Sequence, residues 1–376
     1  NGELSGSSYI IFGRSDFGRV VGSPGAAVTY ELANLDGSNG FRLDGEALDS
    51  SGSSVSTAGD INGDGFDDVI IGASFADPNG ELSGSSYVVF GKASGFNAAM
   101  NLSDLDGNNG FRLDGVSAYA RLGLSVSNAG DVNGDGFDDV IVGAYGADPN
   151  NGELSGSSYV VFGKASGFNA TMNLSVLDGS NGFRLDGEAA GDMSGISVSN
   201  AGDVNGDGFD DVIVGAAGAD PNGNSSGSSY VVFGKASGFS ATLEFSSLDG
   251  SNGFRLDGVA WLDHSGFSVS SAGDVNGDGF DDLIVGADGA DPNGYDSGSS
   301  YVVFGKASGF SATLELSSLD GSNGFRLDGV TTLDYSGRSV SSAGDVNGDG
   351  FDDVIVGVPD ADPNGSFSGS SYVVFG

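Results

Sequence analysis

Five near-identical acidic turns at constant spacing constrain this chain more than any other feature. DINGDGFDD starts at Asp60, and DVNGDGFDD starts at Asp131, Asp203, Asp274 and Asp345. Successive starts lie 71, 72, 71 and 71 residues apart, so the same turn returns at the same place in a duplicated unit. Such a unit buries its apolar surface by stacking on its neighbours. The repeat is therefore the architecture.

Alternation and short apolar runs, bounded by Gly, Asn, Asp and Pro, predict four strands per unit. Strand A is the SVSxAGD type, from Ser54, Ser125, Ser197, Ser268 and Ser339, and runs into the acidic turn. Strand B, DDVIVGA or a near copy, follows from Asp67 in the first copy and is apolar on both faces, as a strand between two packed sheets must be. Strand C, SSYVVFG in most copies, ends at Gly13, Gly91, Gly163, Gly234, Gly305 and Gly376. Strand D, FRLDG, starts at Phe41, Phe111, Phe183, Phe254 and Phe325. Its arginine is expected to pair with nearby carboxylates.

Four such strands every ~71 residues make one propeller blade, whereas a β-helix repeats every ~20. The expected fold is all-β, a single β-propeller-like domain of about five four-stranded antiparallel blades. Its units run 1–45 (partial), 46–115, 116–187, 188–258, 259–329 and 330–376 (partial). The chain opens and closes on strand C, leaving incomplete blades at both ends. Two closures fit. Strand D at Phe41 to Gly45 can complete the last A, B and C strands, or both ends can continue into a neighbouring segment or chain. An unpaired edge is a template for another strand, so self-association through the terminal strands belongs to the second option.

The balance of 13 basic against 52 acidic residues, a net charge of −39, repels nucleic acid and anionic membranes. Cations are the natural partners. No apolar run approaches the ~18 residues of a membrane span, and no membrane insertion is expected. The chain lacks cysteine, so disulfides do not staple it.

Calcium takes six to eight oxygens at flexible distances, and alternate positions of a tight turn supply them. The side chains of Asp60, Asn62, Asp64 and Asp68 with the Phe66 carbonyl form the first predicted set. The same positions give Asp131, Asn133, Asp135, Phe137 and Asp139; Asp203, Asn205, Asp207, Phe209 and Asp211; Asp274, Asn276, Asp278, Phe280 and Asp282; and Asp345, Asn347, Asp349, Phe351 and Asp353. About five Ca²⁺ ions are expected. An EF-hand would carry Glu at the twelfth position, where Ile71 and Val142 stand within apolar strands. The turns therefore belong to β-loops. Extracellular calcium modules bind with Kd of about 10⁻⁴ to 10⁻³ M. At ten times Kd, calcium adds ~1.4 kcal/mol per site and ~7 kcal/mol over five, comparable with the total stability of a domain. Such weak sites stay empty at cytosolic calcium, which points outside the cell.

In these residues the chain resembles the FG-GAP repeat family, the blades of the integrin α-subunit head and of many bacterial surface proteins. The resemblance rests on the DxNxDGxxDD turn, the apolar strand ending in Gly-Ala and the GSSYVVFG strand, in that order, five times. It implies a calcium-binding β-propeller in adhesion or surface scaffolding, at a bacterial cell surface or outside the cell. The chain departs from the family at the Phe of the FG signature, replaced by Ser51, Leu122, Ser194, Ser265 and Ser336.

With antiparallel strands, the acidic turns and C-to-D connections share one face, and the B-to-C and D-to-A connections share the other. The copies differ most in the D-to-A segment. Tyr119, Arg121, Met193, Trp261, His264, Tyr335 and Arg338 lie there, and aromatic and Arg side chains are the usual interface anchors. A protein or glycan ligand is expected on this face. With one histidine and no cysteine, the chain is not expected to be an enzyme. The reading is a secreted or surface calcium-dependent propeller in adhesion or recognition. Its alternative is a structural protein that assembles through incomplete ends into a coat or filament.

Overall fold

A strand such as SSYVV has an apolar residue on each face, so both faces need cover. In the computed structural model, which describes residues 4–13, 31–149 and 152–376, that cover comes from the sheet before and the sheet after. The remaining parts of the first and third units lie outside the described residues. Among the described residues, six sheets follow one another along the chain. Sheet 2 is built from strand A (Ser54–Gly59), B (Asp68–Ala73), C (Ser85–Val89) and D (Gly110–Asp114), antiparallel throughout. Sheets 3 and 4 repeat it, with A at Val126–Gly130 and Ser197–Gly202.

Sheet 5 runs from Ser268–Gly273 to Gly324–Asp328, and sheet 6 has only A (Ser339–Gly344), B (Asp353–Val358) and C (Ser370–Val374). Sheet 1 has C (Ser7–Ile11) and D (Gly40–Asp44). Among the described residues, strand C of sheet 6 pairs with its own B, and Gly40–Asp44 pairs with Ser7–Ile11.

The four-strand reading misses one strand. Ala99–Asn101, Thr171–Asn173, Thr242–Glu244 and Thr313–Glu315 each add a parallel strand to the D strand of the preceding sheet, the third strand of sheet 1 and the fifth of sheets 2, 3 and 4. Each comes from the next unit's C-to-D connection, so every unit laces itself to the one before. A phenylalanine just before the added strand packs on the same preceding sheet: Phe168 stacks on Phe111 at 4.7 Å and Phe239 on Phe183 at 4.7 Å. The arginine of each D strand pairs with the aspartate two residues on, Arg112 with Asp114 at 2.6 Å and Arg184 with Asp186 at 2.6 Å.

The cores lie between sheets. Ile70, Val88, Phe111 and Leu113 of sheet 2 pack against Val126, Val140, Val142 and Tyr159 of sheet 3, and the next pairs repeat the arrangement. The inner A strands pack side by side in series from sheet 2 to sheet 6. Each A-to-B ladder shifts register at its last glycine, as between Thr57 and Gly59, and this bulge launches the acidic turn. Gly59 has φ of 64° there, a conformation that favours glycine.

Candidate metal turns and variable face

Each acidic turn folds its oxygens inward by accepting backbone N–H groups. In the first, Asp60 Oδ1 accepts from Asp64 N at 2.9 Å and Oδ2 from Gly65 N at 2.8 Å. Asn62 Oδ1 accepts from Asp64 N at 2.9 Å, and Asp64 Oδ1 from Phe66 N at 3.0 Å. Gly63 and Gly65, with φ of 70° and 88°, let the chain turn this tightly. The four later turns repeat the pattern from Asp131, Asp203, Asp274 and Asp345.

The ninth position differs from the rest. Asp68 is fully buried, as are Asp139, Asp211, Asp282 and Asp353. Its carboxylate ties the turn to two neighbours, accepting from Ile61 N at 3.2 Å and from Gly91 N, at the end of strand C, at 2.7 Å. Burial, with smaller contributions from nearby carboxylates, pushes Asp68 and Asp282 up to about 7 and Asp139 and Asp211 up to about 8. The first and fifth turn positions, Asp60 and Asp64, are among those carboxylates for Asp68.

Among the described residues, no three Asp, Glu or His side chains already converge as an ion would hold them. The donor set nonetheless fits a hard divalent cation in kind, because its groups are all oxygen donors and a buried carboxylate lies beside like charges. Asp60, Asn62, Asp64 and Asp68, with the Phe66 carbonyl, would hold such an ion, and the equivalent residues would do so in the other turns.

The acid next to the ninth position was not read from sequence as having a role. Asp138, from the second turn, reaches back and accepts from Asp60 N of the first at 2.7 Å. Asp210, Asp281 and Asp352 do the same for Asp131, Asp203 and Asp274, at 2.8, 2.8 and 3.0 Å. Consecutive turns are thereby linked across the sheet boundary. The signal was present in the Asp-Asp doublet, of which the ligand reading needs only the second member.

The variable residues lie on the D-to-A connections, but they do not gather into one cluster. Arg121 stacks over Phe75 at 5.2 Å, and the Tyr119 hydroxyl bonds to Glu81. Arg338 donates to buried Asp288 at 2.8 Å and stacks over Phe267 at 4.8 Å. His264 Nδ1 lies 3.7 Å from the other oxygen of Asp288, and that carboxylate raises the histidine's pKa. Trp261 is exposed, while Met193 and Tyr335 are half-buried. Tyr119, Arg121, Met193, His264 and Tyr335 have φ between 53° and 62°. Residues of the B-to-C loops, such as Leu82 and Leu154, share this backbone, so it comes from the repeat's loop geometry and not from a special site.

A family model described as the FG-GAP repeat matches residues 51–89, 122–161, 194–232, 265–303 and 336–374. The chain is similar to integrin alpha-V of Gallus gallus, 33% identical over 231 residues, which cover 58% of this chain and 20% of that protein. Integrin alpha-4 of Xenopus laevis is 31% identical over 177 residues, 47% of this chain and 15% of that protein. Integrin alpha pat-2 of Caenorhabditis elegans is 29% identical over 298 residues, 75% and 22% respectively. The chain thus spans about a fifth or less of the length of these curated relatives.

Proposed function

This chain belongs to the FG-GAP repeat family, and from that premise we propose that it is an extracellular or cell-surface propeller whose acidic turns bind calcium. Its variable face, opposite those turns, recognises a protein or glycan in adhesion. The observation that carries the metal reading is the fivefold return of one oxygen set around a buried carboxylate. The adhesion reading rests on the likeness to integrin α subunits and on side-chain variation that is greatest in the D-to-A connections. The same likeness to adhesion receptors is what supports reading the chain as a binding module and not as an enzyme.

Binding of the chain to protein and glycan arrays, with millimolar calcium and again with chelator, tests the reading. Calcium-dependent capture should weaken about tenfold or more on Trp261→Ala, the loss of one aromatic anchor. Capture that survives both chelation and that substitution would remove both halves of the proposal.

A further inference from the structure

Consecutive acidic turns touch at the residues that would hold their ions. The leading aspartate of one turn is clamped by the eighth residue of the next. Asp131 N donates to Asp210 Oδ2 at 2.8 Å while Asp210 N donates to the Asp131 carbonyl at 3.4 Å. The same reciprocal pair joins Asp203 to Asp281 and Asp274 to Asp352, and Asp60 N donates to Asp138. A Cβ on Gly130 would strike the Asp210 carboxylate, so the bulge glycine makes room for this acid. Two further contacts accompany the clamp. Lys164 N donates to the Ile61 carbonyl at 2.9 Å, as Lys235 and Lys306 do to Val132 and Val204. The Phe137 ring fills the space where Gly63 lacks a side chain, and Phe209, Phe280 and Phe351 do the same at Gly134, Gly206 and Gly277.

Each of these contacts starts beside an oxygen donor of the later turn. In the third turn, Asp210 stands between Phe209, whose carbonyl is the seventh-position donor, and buried Asp211, the ninth. Phe209 itself carries the ring that covers Gly134. Lys235 follows Gly234, whose N–H donates to Asp211 Oδ1 at 2.9 Å. An ion held by the Phe209 carbonyl and the Asp211 carboxylate would therefore fix the backbone from which Asp210 and Lys235 reach the second turn. What Asp210 grips there is the first donor residue. Asp131 turns its two carboxylate oxygens into its own turn, accepting from Asp135 N at 3.0 Å and Gly136 N at 2.9 Å, so the backbone at Asp131 sets where that carboxylate stands.

We propose that Asp138, Asp210, Asp281 and Asp352 are positioning residues for calcium: each holds the first donor of the preceding turn in place, so that ions in consecutive turns strengthen one another's binding. The inference rests on the calcium reading of the turns given above. It gives the first acid of each Asp-Asp doublet a role that its own turn does not require. Because coupling between two sites is reciprocal, an ion in the second turn favours one in the third as much as the reverse, and the turns fill as a linked series.

Calcium titration of the full chain followed by ¹H–¹⁵N NMR tests it turn by turn, through the amide of each sixth-position glycine: Gly136 in the second turn, which donates to Asp131, and Gly350 in the fifth, which donates to Asp345. Asp210→Ala should raise the dissociation constant read at Gly136 about tenfold, for the loss of one charge-assisted hydrogen bond. The value read at Gly350 should stay as in the wild type, which also shows that the fold is kept. Asp210→Asn retains an acceptor for Asp131 N and should restore most of the affinity at Gly136. Asp207→Ala, which removes a donor of the third turn alone, should weaken the second turn severalfold. Calcium binding at Gly136 that is unchanged by Asp210→Ala overturns the coupling and leaves the calcium reading standing. Failure of Asp210→Asn to restore binding overturns it as well, because a general loss of charge would then explain the Ala variant. A wild-type Gly136 amide that does not respond to millimolar calcium overturns both the coupling and the calcium reading.

Discussion

Internal and terminal copies of one strand have the same sequence and opposite surroundings. Tyr301 and Val302 of sheet 5 are 2% and 0% exposed, whereas Tyr372 and Val373 of sheet 6, in the same SSYVV, are 46% and 42% exposed. Burial here is not a property of the strand. It is conferred by the following unit, which supplies a sheet face and, through its C-to-D connection, a fifth strand and an aromatic ring. The stability of such an array is approximately a sum of unit and boundary terms, so one substitution should have different effects at a boundary and at an end.

The largest contrast is expected at the strand B glycines. Gly286→Val drives its side chain into the Gly337 carbonyl and should cost ~3 kcal/mol or more, lowering the urea midpoint sharply. Gly357→Val should leave that midpoint unchanged in the monomer. Equal losses at the two sites would break the comparison.

Truncation of an inner-strand valine comes next. Val269→Ala removes two methyl groups from a buried boundary and should cost ~2 kcal/mol. Val55→Ala, at the exposed end, should stay within ~0.5 kcal/mol, as read from the same unfolding curves. The smallest contrast concerns the doublet aspartates. Asp138→Ala breaks the link to Asp60 N and should cost ~1 kcal/mol, whereas Asp67→Ala should cost nothing measurable in the monomer.

Much of this boundary logic was legible in the sequence. The period, the A-to-D strand order and the arginine of strand D all appear as read, because each depends on local alternation or on a neighbour two residues away. The fifth strand was not legible: Thr171–Asn173 spans three residues, too few for a period, and its partner Arg112–Asp114 belongs to the preceding unit. The role of Asp138 was hidden for a related reason. The turn that contains it needs only Asp139, and the reach back to Asp60 is visible only once consecutive turns are placed side by side. The variable residues were correctly placed on the D-to-A loops, but their division into an Arg121–Phe75 stack and an Asp288 group depends on loop partners that spacing does not specify.

Whether calcium holds the five acidic turns is read by thermal unfolding with calcium or with chelator across a pH series. Without the ion, the folded protein keeps protons on Asp68, Asp139, Asp211 and Asp282 up to about 7 or 8, where the unfolded chain loses them near 3.8. The folded state therefore binds more protons across that window, and stability in chelator should fall as pH rises from about 4 to about 8. Millimolar calcium should remove this decline and raise the melting temperature throughout its upper half. Superimposable melting curves with calcium and with chelator at pH 8 would contradict the account.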